Sequence, residues 1–289
     1  MFVFKAAVVG AGVMGGEIAQ VVAAADIPVL LKDVDAEFVE AGLRKAREVT
    51  EGQVGRLVSK EKLTEEQGAE QIERTLSLIT GTTDYDGFGD VDFVIEAVPE
   101  RMEVKHAVFS ELDAATPGQA VLASNTSGLS ITEIGDATNR PDKVVGFHFF
   151  WPASFMRLIE IVEGEETSQA TLQAAANFAQ AIRKTPVRCA ECPGFVVNRI
   201  LTSTASEIWR YQDETGTSPE ELDAHIKEAA GMPMGPFRVA DMSGLDTVAK
   251  VARDMRDAYG DRFYVHRGME ELVERGDLGA KSGKGFYEH

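Results

Sequence analysis

The stretch Ala6-Ala7-Val8-Val9-Gly10-Ala11-Gly12-Val13-Met14-Gly15 decides the fold of this chain. Four apolar residues, Ala6 to Val9, read as a buried strand, and a glycine-rich turn follows at once. A helical pattern then runs from Glu17 to Ala25, and Asp33 closes the next apolar run, Pro28 to Leu31. This strand–turn–helix–strand context is what a dinucleotide-binding fingerprint requires. Gly10 permits the tight turn, Gly12 lets the backbone approach a pyrophosphate, and Gly15 lets the helix pack closely on the strand. Val13 and Met14 complete the fingerprint as expected cofactor contacts, and the N-terminus of the helix that follows would offer its N–H groups and dipole to the pyrophosphate. Asp33 would accept hydrogen bonds from the ribose hydroxyls and repel a 2′-phosphate, so the expected cofactor is NAD rather than NADP.

Outward from this unit, short apolar strands alternate with helical stretches. They read as Val29–Leu31, Leu76–Ile79, Phe93–Ala97, Val121–Ser124, Val144–Phe147 and Leu158–Val162. Such alternation implies an α/β, Rossmann-like domain with a mostly parallel sheet. The charged segment Ala36 to Thr75 is too long for one crossover helix. Gly52 and Gly55 interrupt it, which predicts a helical hairpin projecting from the sheet. Pro186-Val187 reads as a last strand and Pro193-Gly194 as a boundary. The expected division is therefore an NAD-binding domain over 1–192 and a smaller all-α domain over 193–289. Its helices are expected over Phe195 to Asp213, Pro219 to Ala229, Val239 to Tyr259 and Met269 to Glu274, with an ordered loop closing the chain at Gly279 to Tyr287.

A chain of 289 residues is long enough for two domains with a substantial core. A net charge of −18 argues against nucleic acid and anionic membranes as partners. No apolar run approaches the roughly 20 residues that span a bilayer. The first strand begins almost at the N-terminus and leaves no room for a signal peptide, so a cytoplasmic location is expected. Cys189 and Cys192 form a C-x-x-C, but no second cysteine pair accompanies it. Neither a redox pair nor a metal site is expected there.

The chemistry should gather at the carboxyl edge of the sheet, where open α/β folds bind ligands. Ser124-Asn125-Thr126-Ser127 follows the fifth strand and His148 ends the sixth. Glu160 lies in the next strand, near enough in a hairpin-like return to face His148. An imidazole there can take a hydroxyl proton while the carboxylate fixes its tautomer and stabilises the imidazolium. Asn198 opens the first helix past Pro193-Gly194.

Beyond the fingerprint, four further segments carry a family resemblance. They are Phe93-Val94-Ile95-Glu96-Ala97-Val98-Pro99-Glu100, Gly146-Phe147-His148-Phe149-Phe150, Pro193-Gly194-Phe195-Val196-Val197-Asn198-Arg199 and Lys281-Ser282-Gly283-Lys284-Gly285-Phe286-Tyr287. With Ser124-Asn125-Thr126-Ser127 and Pro233-Met234-Gly235-Pro236, they make the whole chain resemble the 3-hydroxyacyl-CoA dehydrogenases, of the bacterial short-chain type. The resemblance implies NAD-dependent oxidation of a (3S)-3-hydroxyacyl-CoA to the 3-oxoacyl-CoA, or the reverse reduction. It implies His148 as general acid/base and Glu160 as its orienting partner, with Ser127 and Asn198 binding the reacting 3-oxygen. Glu100, Lys105 and Asn125 would line the pocket at the cofactor. Arg56 and Lys60, spaced to share one helix face, would hold the CoA phosphates. Single-copy members pair through the helical domain, so a homodimer is expected. One departure stands out: the family carries Asn where this chain has Trp151. Trp151 could stack on the cofactor, reshape the acyl site, mark a non-CoA hydroxy acid as substrate, or accompany lost activity.

Overall fold

The computed structural model describes residues 2–289. The chain divides into two compact units, with the division between Cys192 and Pro193.

The first unit is built on one sheet of eight strands. They are β1 (Ala6–Val9), β2 (Val29–Lys32), β3 (Ile79–Thr82), β4 (Phe93–Glu96), β5 (Val121–Ser124), β6 (Val144–Phe149), β7 (Leu158–Glu163) and β8 (Thr185–Ala190). Their spatial order is β3-β2-β1-β4-β5-β6-β7-β8. The pairs from β3 through β6 are parallel; β6 and β7 are antiparallel, and β8 runs parallel to β7. β1, β2, β4 and β5 are buried along their whole lengths, which is why they read as unbroken apolar runs rather than alternating ones. From β1 the chain winds outward to β3 and then returns to begin again at β4. The order therefore reverses between β1 and β4, and a crevice opens there at the carboxyl ends of the strands. Phe93, Phe147 and Phe178 pack together in the core, with ring centroids 4.4–5.9 Å apart.

Six helices belong to this unit: α1 (Val13–Ala23), α2 (Ala36–Ser59), α3 (Glu65–Ser77), α4 (Met102–Ala115), α5 (Ile131–Gly135) and α6 (Gln169–Ala181). α2 and α3 form the expected hairpin, with two corrections. Gly52 and Gly55 do not interrupt α2; both are exposed, where a glycine costs a helix only about 1 kcal/mol. The break falls at residues 60–64, where the Thr64 hydroxyl and the Gln67 side chain form a capping box that starts α3. That cap carries α3 through Ser77, so Leu76 and Ser77 are helical and β3 begins at Ile79, later than the apolar run suggested. α2 is also less of a projection than expected. Its Val39, Gly42, Ala46 and Thr50 are buried, and Gly42 lies against Gly16 of α1.

The second unit is helical: α7 (Val197–Thr215), α8 (Pro219–Ala230), α9 (Pro236–Ser243), α10 (Leu245–Tyr259) and α11 (Arg267–Arg275). Trp209, Phe237, Leu245, Ala249, Met269 and Leu272 form its core. The single helix expected over Val239 to Tyr259 is two helices, because Gly244 takes a φ of +91° between them. The closing loop is ordered around the buried Asp241. That carboxylate accepts from the backbone N–H groups of Phe286 and Tyr287 and from His289 Nε2.

Candidate active site

Gly10 leaves β1 with a φ of +101° and turns beneath the end of β4, where any Cβ would lie 2.6 Å from the Ala97 carbonyl. At Gly15 a Cβ would fall 1.7 Å from Gly10 O, so the helix can approach the turn only because a hydrogen stands there. At Gly12 the opposite holds: nothing lies within 4 Å of an added Cβ. Gly12 is also the N-cap of α1 and no side chain caps that helix. An uncapped helix N-terminus facing open space, at the crevice between β1 and β4, is a fitting cradle for a dinucleotide pyrophosphate. Beside it lies a cavity of about 350 Å³ lined by Gly10, Lys32, Asp33, Val34, Glu103 and Glu111, among others. Asp33 Oδ2 accepts from Ala11 N at 2.6 Å and Oδ1 accepts from Val34 N at 2.7 Å. Each oxygen keeps a second lone pair for a ribose hydroxyl.

His148 and Glu160 are register partners of β6 and β7. His148 Nδ1 stands 2.9 Å from Glu160 Oε2, and both side chains are buried. An ionised Glu160 can only accept, so Nδ1 donates and Nε2 carries the ring's lone pair. β6 runs two residues beyond the expected Phe147, so His148 and Phe149 are both held in the sheet.

Ser127 stands on a loop tied at several points. Asn125 Oδ1 accepts from Phe149 N at 2.8 Å, joining the end of β5 to the end of β6. Glu100 Oε1 accepts from the Thr126 hydroxyl at 2.6 Å and from Ser127 N at 2.9 Å. Beneath it Lys105, 1% exposed, donates to both oxygens of Glu96 at 2.8 and 2.9 Å and lies 3.3 Å from Glu100. Glu96 also accepts from the Ser124 hydroxyl and from Val98 N. Sequence reasoning placed Lys105, Glu100 and the Ser124–Ser127 stretch at this edge but missed Glu96, which holds the same loop from below. The signal for Glu96 was a carboxylate ending an otherwise apolar strand, Phe93-Val94-Ile95-Glu96.

Three further expected residues, Arg56, Lys60 and Asn198, belong to helices or their ends rather than to the strand-end loops. Arg56 lies in the last turn of α2, whereas Lys60 is the residue just past its end, so the shared helix face is incomplete. Both are exposed. Asn198 stands in the first turn of α7 in the second unit, three residues after Phe195, which like Gly194 takes a positive φ.

Comparison with known proteins agrees with this geometry. The family model described as 3-hydroxyacyl-CoA dehydrogenase, NAD binding domain, matches residues 5–192, and its C-terminal domain counterpart matches residues 194–289. The chain is 39% identical to a 3-hydroxyadipyl-CoA dehydrogenase of Escherichia coli (strain K12) over 98% of its own length, but spans only 58% of that relative. It spans 38% of a fatty acid oxidation complex subunit alpha of a Psychrobacter species. A 3-hydroxybutyryl-CoA dehydrogenase of Clostridioides difficile is 37% identical, with 99% of each chain covered. The crystal structure of an (S)-3-hydroxybutyryl-CoA dehydrogenase from Ralstonia eutropha superposes with a TM-score of 0.90 at 35% identity, covering 100% of this chain and 99% of the other.

Proposed function

Because this chain belongs to the 3-hydroxyacyl-CoA dehydrogenase family, we propose that it interconverts a (3S)-3-hydroxyacyl-CoA and the 3-oxoacyl-CoA with NAD. The observation that carries this reading is the His148–Glu160 pair at the end of β6, on the edge of the sheet where the Gly10–Gly15 turn lies. In the oxidative direction His148 Nε2 takes the proton of the 3-hydroxyl as the C3–O bond gains its second bond. NAD supplies the acceptor for the hydride that leaves C3. The resulting imidazolium is stabilised by Glu160 through Nδ1–H, so the pair carries the charge that develops in the transition state. Ser127 binds the 3-oxygen, and Glu100 keeps the Ser127 backbone in place. Asn125 orients the end of β6, while Lys105 holds Glu96 and Glu100 under the cofactor crevice. Val13 and Met14 place the first N–H groups of α1 at the pyrophosphate. Arg56 and Lys60 take the CoA phosphates. Rate then comes chiefly from held geometry and a paired base. NADH oxidation with acetoacetyl-CoA, set against acetoacetate and other free keto acids, tests the assignment. Turnover of the thioester alone supports it; comparable turnover of the free acids points to a non-CoA substrate.

Assembly follows the same reading. Ile200 and Leu201 of α7 are more than half exposed although their unit is helical and small. An isologous contact that covers such faces is the commonest route to a dimer, and we assign the protein as a homodimer through the second unit. Light scattering supports this with the mass of two chains and contradicts it with the mass of one. No helix of the described residues is long and apolar enough to cross a membrane. The proposed location is the cytoplasm, which cell fractionation tests.

A further inference from the structure

Past Phe150 the chain runs Trp151-Pro152-Ala153-Ser154-Phe155-Met156 before β7 begins at Leu158. The backbone of this segment is tied down from three directions. Glu17, 3% exposed in α1, accepts at Oε2 from Ser154 N at 3.2 Å and from the Ser154 hydroxyl at 3.3 Å. Gln53 of α2 donates from Nε2 to Ser154 O at 3.2 Å. Lys184, just ahead of β8, donates to Ala153 O at 2.5 Å and Met156 O at 2.7 Å. Burying a carboxylate and an ammonium is costly unless each is used, and here both are used on the same few peptide groups.

The side chains of the segment are treated in the opposite way. Trp151, Phe155 and Met156 are 53%, 73% and 38% exposed. A backbone pinned through buried charges is not a swinging lid, and three large apolar side chains held out at a fixed place make a contact surface. Its location is set at both ends. The segment leaves β6 where the Phe150 ring lies 4.6 Å from the His148 imidazole, and its middle is bonded to α1, the helix that starts at the nucleotide turn. Lys45 lies 3.9 Å from the other oxygen of Glu17 and offsets part of its charge.

We propose that Glu17 is a positioning residue that, through Ser154, sets the Trp151–Met156 segment beside the nucleotide turn, and that the exposed side chains of this segment are the wall along which the acyl chain beyond C3 lies. The wall rests on the acyl-CoA reading above. A substrate whose C3 reacts at His148 carries its remaining carbons away from the thioester, and those carbons need apolar surface near the end of β6.

The test compares kcat/KM for acetoacetyl-CoA with that for an eight-carbon 3-oxoacyl-CoA. Trp151→Ala combined with Phe155→Ala should lower the long-to-short ratio about tenfold, the scale on which an apolar pocket discriminates methylene groups. An unchanged ratio overturns the wall, whether NADH affinity falls instead (a cofactor contact) or the dimer is lost (a partner contact). The positioning role is read by fluorescence in a Trp209→Phe background, since the chain has two tryptophans and Trp209 is buried in the second unit. Glu17→Met should change acrylamide quenching of Trp151 and lower the same ratio, while Glu17→Gln, which keeps the acceptor oxygen, should restore both. Ser154→Ala, at a half-buried loop position, should move both readouts less and in the same direction, and it serves if Glu17→Met does not fold. Unchanged quenching and ratio in Glu17→Met, or in Ser154→Ala where that variant alone folds, overturns the positioning role. Absence of acyl-CoA turnover in the wild-type protein overturns the wall together with the function it rests on; wild-type turnover with an unchanged ratio overturns the wall alone.

Discussion

His148 Nδ1 and Glu160 Oε2 lie 2.9 Å apart across the antiparallel pairing of β6 and β7. The neighbouring strands on either side, β5 and β8, pair in parallel with β6 and β7 respectively. Antiparallel register places two side chains directly opposite on one face, and burial in the sheet then removes their freedom to part. The proposed base and its orienting carboxylate are thus fixed by backbone pairing rather than by a flexible loop.

Glu160→Gln keeps the shape of that partner and removes its charge. The imidazolium that forms during oxidation then loses its counter-charge, and kcat should fall by about 10²–10⁴-fold. Steady-state kinetics with NADH and acetoacetyl-CoA read this. A loss under about threefold would show that His148 does not depend on Glu160.

Cofactor choice should follow Asp33. Its oxygens are aimed by Ala11 N and Val34 N, and Glu103 and Glu111 line the same cavity. A 2′-phosphate there meets carboxylates, with Lys32 placed 4.5 Å from the Tyr85 ring centroid. The ratio of kcat/KM for NADH over NADPH should be at least tens-fold, on the order of what an unpaired and repelled group costs. Equal efficiencies would contradict this placement of the adenosine ribose.

Lys105→Met should be costly to stability. The substitution leaves Glu96 buried without its cation, a loss of about 3–5 kcal/mol for a broken buried pair. Denaturant unfolding of the first unit measures it. A change within about 1 kcal/mol, the range of exposed ion pairs, would contradict the buried role.

Acid should weaken the second unit through His266. Burial holds its pKa below the ordinary 6.5, against the opposing charge of Asp213. Its Nδ1 accepts from Met269 N to cap α11, so Nε2 donates to Gln212 at 2.6 Å. The folded state therefore disfavours the second proton, and the unfolded state binds more protons as pH drops below about 6.5. Stability from this group is present above that value and is lost as pH falls towards the depressed folded value. The thermal midpoint of the second unit, followed between pH 7.5 and 5, should fall, and His266→Asn should flatten the fall. Equal slopes for the two proteins would contradict it.

Which features could be read from the sequence depends on how far apart the partners lie along the chain. The Gly10–Gly15 turn is a local requirement of backbone geometry, so its residues announce it. His148 and Glu160 are twelve residues apart in a simple return, and their pairing was open to sequence reasoning. Glu17 and Ser154 are 137 residues apart, and nothing local in either segment points to the other. Glu96 reads as the end of an apolar strand, and its partners Lys105 and Ser124 come from two other elements, α4 and β5. Boundaries slipped where a cap or a single φ outweighed composition, at Thr64 for α3 and at Gly244 between α9 and α10.

The most direct test of the account is the turnover of His148→Ala with acetoacetyl-CoA and NADH, measured beside its affinity for NADH. Removing the proposed base should lower kcat by at least about a hundredfold, while NADH binding, which we assign to the Gly10–Gly15 turn and Asp33, stays within about twofold of wild type. Near-normal turnover in His148→Ala would contradict the assignment of His148 as the group that moves the hydroxyl proton.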